Sequence, residues 1–170
     1  MAFAHHVDNT DQVKEIVDAY RKRFFDARHV CYAYMLGADR KLFRAVDDGE
    51  PSSTAGKPIL GQINANELTD VLIVVVRYYG GVNLGTGGLI VAYRTAAQQA
   101  VANAEIVTKM IEETVSFDFP YVMMNKVMKV VKDMNPRIVK QQFDNTCSIT
   151  LAIRKSEAEH LRNRLAQLIF

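Results

Sequence analysis

The twelve residues RYYGGVNLGTGG, Arg77 to Gly88, gather one fixed cation, two phenols and five glycines between the apolar run Leu72 to Val76 and an alanine-rich segment. A strand that ends in glycines and leads into a helix leaves backbone N–H groups unpaired at the positive end of that helix, where an anion can settle. Arg77 adds a cation, Lys57 a second one, and Gly80, Gly81, Gly85, Gly87 and Gly88 let a ligand approach the main chain. An exposed tyrosine beside an arginine can also stack a nucleic-acid base. Successive side chains at a strand end point to opposite faces, so at least one of Tyr78 and Tyr79 should reach solvent. The other is expected to fill the core with its hydroxyl paired outside. Two better-known glycine loops fail here. A dinucleotide fingerprint needs a third glycine where Ile90 stands in GTGGLI, and a phosphate loop of the GK[ST] kind meets Pro58 in AGKP.

A second chemical cluster is DDGEPSSTAGKP. Asp47, Asp48 and Glu50 could hold magnesium through oxygen ligands, or form a turn whose aspartates accept from nearby backbone N–H groups. With His29 as a base, the same residues would suit a metal-dependent enzyme acting on a phosphorylated or acyl substrate. The turn is the preferred alternative, and no metal or other cofactor is expected. No catalytic residue is assigned, because neither a G-x-S-x-G elbow nor a recognisable cysteine signature occurs. Lys126, Lys129 and Lys132 recur every third residue opposite Met123, Val127, Val130 and Met134. They form a basic face that is either plainly solvated or able to neutralise phosphates.

These groups need elements to hold them. The chain has 170 residues, of which 49% are hydrophobic and 24% charged, enough apolar material for one or two compact domains. A formal charge of +2 makes no global case for nucleic acid, so any basic surface must be local. Cys31 and Cys147 lack metal-site spacing and fit free thiols in a reducing cytoplasm. No apolar run reaches the ~18 to 20 residues of a membrane span, and the N-terminus lacks the pattern of a signal peptide. Helical spacing of Val13, Ile16, Val17 and Tyr20 predicts a helix from Asp11 to Phe24. HVCYAYML and LFRAVDD read as a hairpin across GADRK, and AGKPILGQINANEL as a short helix with Pro58 in its first turn. VLIVVVRYY is a strand buried on both faces. A helix follows the glycines, with Leu89, Ile90, Tyr93, Ala97 and Ala100 on one stripe. From residue 108 the pattern restarts as strand, helix, hairpin across Asn145, and a last helix capped by Ser156. This β-α-β-β-α order is one strand short of the split βαβ unit. The second half carries the positive excess.

With these residues in view, the sequence resembles the Impact family, whose bacterial members are YigZ-like. The signature positions are filled by Gly56, Ile59, Leu60, Ile63, Leu68, Val74, Val75, Arg77, Tyr78, Tyr79, Gly80, Gly81, Leu84 and Gly85. The blocks DARHVCYAY and DDGEPSSTAGKPIL are similar as well. Two departures stand out: Val46 where the family usually has serine, and Ser53 where it usually has glycine. The resemblance implies an α+β protein of two domains. Residues 1–107 would be an Impact N-terminal domain similar to domain 2 of ribosomal protein S5. Residues 108–170 would be a ferredoxin-like domain similar to a C-terminal domain of elongation factor G. It also implies a first strand entered late and a final strand beyond the end of the given sequence. Eukaryotic members regulate translation during amino-acid starvation, in a role that uses a further N-terminal domain, and bacterial members look like nucleic-acid or ribosome-associated proteins.

The expectation is therefore a noncatalytic cytoplasmic protein that binds RNA or the ribosome and regulates translation or a stress response, with no membrane association. Its surface would be built from Arg77, Tyr78, Tyr79, the glycines and Lys57. Two alternatives stay open: the metal-dependent enzyme, and a protein-interaction module anchored by the tyrosines.

Overall fold

The structure is a computed structural model that describes residues 1–169. It is a mixed α+β chain with two sheets and five α-helices among the described residues, and it divides into two compact units, Met1–Ile106 and a second that begins at Val107.

The first unit holds a four-stranded antiparallel sheet of β1 (Ala2–His6), β4 (Val71–Arg77), β2 (His29–Leu36) and β3 (Leu42–Val46), in the order β1-β4-β2-β3. β4 lies inside this sheet, and its alternate residues feed two cores. Leu72, Val74 and Val76 pack with α1 (Thr10–Arg23) through Val13, Val17 and Tyr20. Ile73 and Val75 pack on the opposite face against α2 (Gly56–Ala65) and α3 (Gly85–Ala102). On α3 the buried stripe is Leu89, Tyr93, Ala97 and Val101, while Ile90 and Ala100 are only half-buried. Asn9 caps α1, its side chain accepting from the Gln12 N–H at 2.9 Å.

The close fit of α2 on the hairpin explains one glycine. A Cβ on Gly56 would lie 2.4 Å from the backbone nitrogen of Val46 and 2.8 Å from the carbonyl carbon of Ala45. Only glycine lets the first turn of α2 seat there. β3 accordingly stops at Val46, and Asp47 and Asp48 turn out of the strand that the alternation of LFRAVDD predicts.

The second unit pairs β5 (Glu112–Pro120), β7 (Thr146–Arg154) and β6 (Arg137–Phe143) antiparallel in the order β5-β7-β6. One face is covered by α4 (Met124–Met134) and α5 (Lys155–Ala166). Its core joins Val115, Phe119, Ile149, Leu151, Val127, Val130 and Leu161. The other face is polar and open. Ser156 does not cap α5: the helix starts one residue earlier, and the Lys155 N–H donates to the Ile111 carbonyl at 2.9 Å, so the lead into β5 replaces a side-chain cap. No helix of the described residues is long and apolar enough to cross a membrane.

Candidate functional site

The turn after β3 is built by its carboxylates. Asp47 accepts three backbone N–H groups, from Ser53 at 2.9 Å, Ala55 at 3.2 Å and Gly56 at 2.8 Å, so it closes the start of α2 from outside the helix. Asp48 accepts the Val30 N–H at 2.7 Å and the Arg21 guanidinium at 3.3 Å, while its carbonyl accepts from His29 Nδ1 at 2.6 Å. Ser53 takes φ +64°, a left-handed conformation that glycine enters without penalty.

Glu50 points the other way, into the unit. Its side chain is 3% exposed and receives hydrogen bonds from Arg77 Nε and, at 2.7 Å, from the Tyr93 hydroxyl. His29 Nε2 stands 3.7 Å from its second oxygen. The Cys31 sulfur lies 3.3 Å from the Tyr93 hydroxyl and 3.0 Å from the Asp47 carbonyl. Burial by itself would raise the Glu50 carboxyl. The hydrogen bonds from Arg77 and Tyr93, with the charges of His29 and Arg77, hold it below the usual carboxylate range instead. Burial pushes the Cys31 thiol up to about 12 and the Tyr93 phenol up as well, so both stay protonated at neutral pH.

This arrangement bears on the less favoured metal alternative and corrects the expectation for Arg77. Asp47, Asp48 and Glu50 do not converge on a cation, because each accepts from a different set of protein donors, and among the described residues no three His, Cys, Asp or Glu side chains are grouped to hold a metal ion. Arg77 is not a free cation for an anion either: its Nε is committed to buried Glu50, and its side chain is only 21% exposed. Arg28 stands at the same strand end. Its backbone N–H donates to the Arg77 carbonyl at 3.1 Å, its side chain is exposed, and no carboxylate of the described residues pairs with it. Arg28 carries no motif in the sequence. Its position directly before a strand that registers against β4, with His29 opposite Arg77, is the signal that identifies it.

The glycine bend lies open. Tyr78 is 43% exposed with its hydroxyl on Asp26 at 2.9 Å, and Tyr79 is 50% exposed with its hydroxyl on Asn83 at 3.3 Å. Neither fills the core, against the expectation for one of them. β4 ends at Arg77 and the chain leaves the sheet before either ring could be enclosed. From Gly80 to Gly87 no backbone N–H finds an acceptor among the described residues, and α3 begins at Gly85 without a side-chain cap. Gly81 and Gly85 take φ +85° and +70°, conformations that favour glycine. Gly80 and Gly87 do not, and a Cβ at either would meet nothing within 4 Å, so the fold itself gives no reason for a glycine at these two positions. At Gly88 a Cβ would come within 3.1 Å of the Leu84 side chain. Lys57 is exposed in the first turn of α2, which packs on α3. Lys126, Lys129 and Lys132 are exposed on α4 of the second unit, a separate group of residues from the bend.

Residues 1–101 match the family model for the Impact N-terminal domain. The chain is 30% identical over 169 residues to the IMPACT family member of Haemophilus influenzae, covering 98% of this chain and 82% of that protein. It is 31% identical over 163 residues to the IMPACT family member YigZ of Escherichia coli, covering 95% and 80%. A solved structure described as the crystal structure of an hypothetical protein superposes with a TM-score of 0.70 at 30% identity, over 98% of this chain and 82% of the other.

Proposed function

The chain belongs to the Impact family, and from that premise we propose that the glycine bend of its first unit binds RNA, free or in the ribosome, in a noncatalytic role that regulates translation in the cytoplasm. The observation that carries this reading is the run of unpaired N–H groups from Gly80 to Gly87, which follows directly on two exposed tyrosines. Backbone donors at a helix start suit phosphate oxygens, and phenol faces suit bases. Gly80 and Gly87 lack a structural need for glycine, and close approach of a ligand to the main chain supplies one. In this reading Arg28 and Lys57 meet phosphate, and Arg77 positions the strand end through Glu50. The proposal includes the finer fold assignment. The first domain, residues 1–107, is taken as similar to domain 2 of ribosomal protein S5. The second, residues 108–170, is taken as ferredoxin-like, supported by its β-α-β-β-α order.

The test is equilibrium binding of the whole chain to short single-stranded and duplex RNA across a salt series. Tyr79→Ala is expected to weaken single-strand binding about fivefold or more, since a stacked base contributes ~1 to 3 kcal/mol. Arg28→Ala and Lys57→Ala should each flatten the log-log salt slope by about one phosphate's worth, ~0.7 for a single strand. Gly87→Ala should leave the fold at least as stable, because a Cβ there clashes with nothing, yet weaken binding. A well-folded Gly87→Ala and Tyr79→Ala pair with unchanged affinity would remove the bend from the function.

One observation favours a second reading. Phe25 is 85% exposed next to Asp26, the residue that anchors Tyr78, and Val82 is 72% exposed within the bend. Exposed aromatic and apolar groups are also the makings of a protein-binding anchor. Pull-downs before and after nuclease treatment separate the two: a partner that survives loss of RNA selects the protein-interaction module.

A further inference from the structure

Between α1 and β2 the chain turns sharply, the Ala27 N–H donating to the Phe24 carbonyl at 2.9 Å, which places Phe25 and Asp26 at the tip. The two outer residues pack inward, Phe24 against the Phe3 and Tyr20 rings and Ala27 on the same core. Asp26 is a usual turn residue, because its short side chain bonds locally. Phe25 is not. Its ring is 85% exposed and joins none of the core clusters, so the turn closes without it. The turn is fixed to the end of β4 at two points: the Arg28 N–H donates to the Arg77 carbonyl at 3.1 Å, and Asp26 accepts from the Tyr78 hydroxyl at 2.9 Å. Phe25 therefore shares one end of the sheet with Tyr78 and Tyr79, and among the described residues no other ring or cation stacks on any of the three. The charge around them is mostly of one sign. Lys22, Arg23 and Arg28 are exposed, and no carboxylate of the described residues pairs with them, since Asp18 and Asp48 pair with Arg21 instead.

Resting on the reading of the bend as an RNA site, we infer that the turn between α1 and β2 is its second wall and that the ligand is a single strand, with Phe25 stacking an unpaired base. Bases inside a duplex are stacked on one another and offer no free face, whereas those of a single strand can splay onto aromatic side chains. All three residues present faces. Phe25 has no polar tip, and the hydroxyls of Tyr78 and Tyr79 are held by Asp26 and Asn83. Contact of this kind is tolerant of sequence, because every base has a face to stack. The cations decide against an apolar protein as the occupant of the turn. Such a partner would leave Lys22, Arg23 and Arg28 without a counterpart, and a phosphate chain supplies one beside each stacked base.

Binding of the whole chain is measured to a short single-stranded RNA, to the same strand annealed to its complement, and to an abasic ribose-phosphate strand of equal length. The single strand should bind tightest of the three. Phe25→Ala, at a position outside every core cluster, should keep its melting temperature. It should weaken single-strand binding about fivefold or more, yet leave abasic-strand binding and the log-log salt slope unchanged, since a ring stacks on a base and neutralises no phosphate. Phe25→Leu, which keeps apolar bulk without a ring face, should behave like Phe25→Ala, and Phe25→Trp should bind at least as tightly as the unaltered chain. A Phe25→Ala protein that binds the single strand undiminished, while Gly87→Ala weakens it, overturns this inference and leaves the bend standing. Equal affinity for single strand and duplex does the same. Full affinity in Phe25→Leu, or a nuclease-resistant protein partner released by Phe25→Ala, gives the ring another role and overturns it too. An unaltered chain that binds no RNA overturns both readings together.

Discussion

Glu50 is where the chemistry of the first unit is concentrated and where its single residues can be tested. A carboxylate held by Arg77 and Tyr93 inside the fold stabilises only while ionised, and removing it leaves a guanidinium and a phenol without their acceptor. Glu50→Gln is expected to cost about 2 kcal/mol at neutral pH, less than a fully enclosed pair because solvent still reaches Arg77. The pH dependence has a definite sign. The folded carboxyl titrates below its ordinary value of 4.5, so its contribution is complete above that value and is lost as pH falls through the lower folded one. Urea unfolding of both proteins on acidification should show the gap between them closing. Arg77 was legible in the sequence as an important residue at the end of a strand, but its partner was not. Glu50 lies 27 positions away, and nothing in residue type or spacing says which of three neighbouring carboxylates turns inward.

Among the elements, α2 depends most on a distant residue. Its own sequence supplies no side-chain cap, and Asp47, eight and nine positions before the amides of Ala55 and Gly56, fills that role. Asp47→Ala should lower stability by about 2 kcal/mol, at the upper end for a lost cap because three amides lose an acceptor together. Thermal melts read by circular dichroism check it, with Lys57→Ala in the same helix as a neutral control. The helices, the two hairpins and the doubly buried β4 were legible from periodicity and turn residues, since 3.6- and 2-residue patterns are local properties of the chain. The end of β3 at Val46 and the start of α5 at Lys155 were not. Both are set by partners far along the chain, Gly56 seated on β3 in one case and Ile111 accepting the Lys155 N–H in the other.

At the scale of the molecule, two sheets carry separate cores. The clusters around β4 draw only on the first unit, and the cluster around β7 only on the second. Leu161→Ala, at a fully buried position, should cost about 3 kcal/mol. It should speed amide exchange in β5 and β7 while leaving β2 and β4 at their original rates, which hydrogen exchange resolved by strand would show. By itself the sequence determined the kind of chain this is: an α+β protein of two pattern blocks, with an open-ended glycine loop between a buried strand and a helix and a signature that resembles the Impact family. Those properties reside in composition and short-range spacing. The tertiary structure decided which charged groups are left free. It turned Glu50 inward to hold Arg77, used Asp47 and Asp48 as backbone acceptors, and left Arg28, both tyrosines and the bend's amides facing solvent. Whether a side chain is spent inside the fold or offered outside depends on partners that only long-range packing brings within reach.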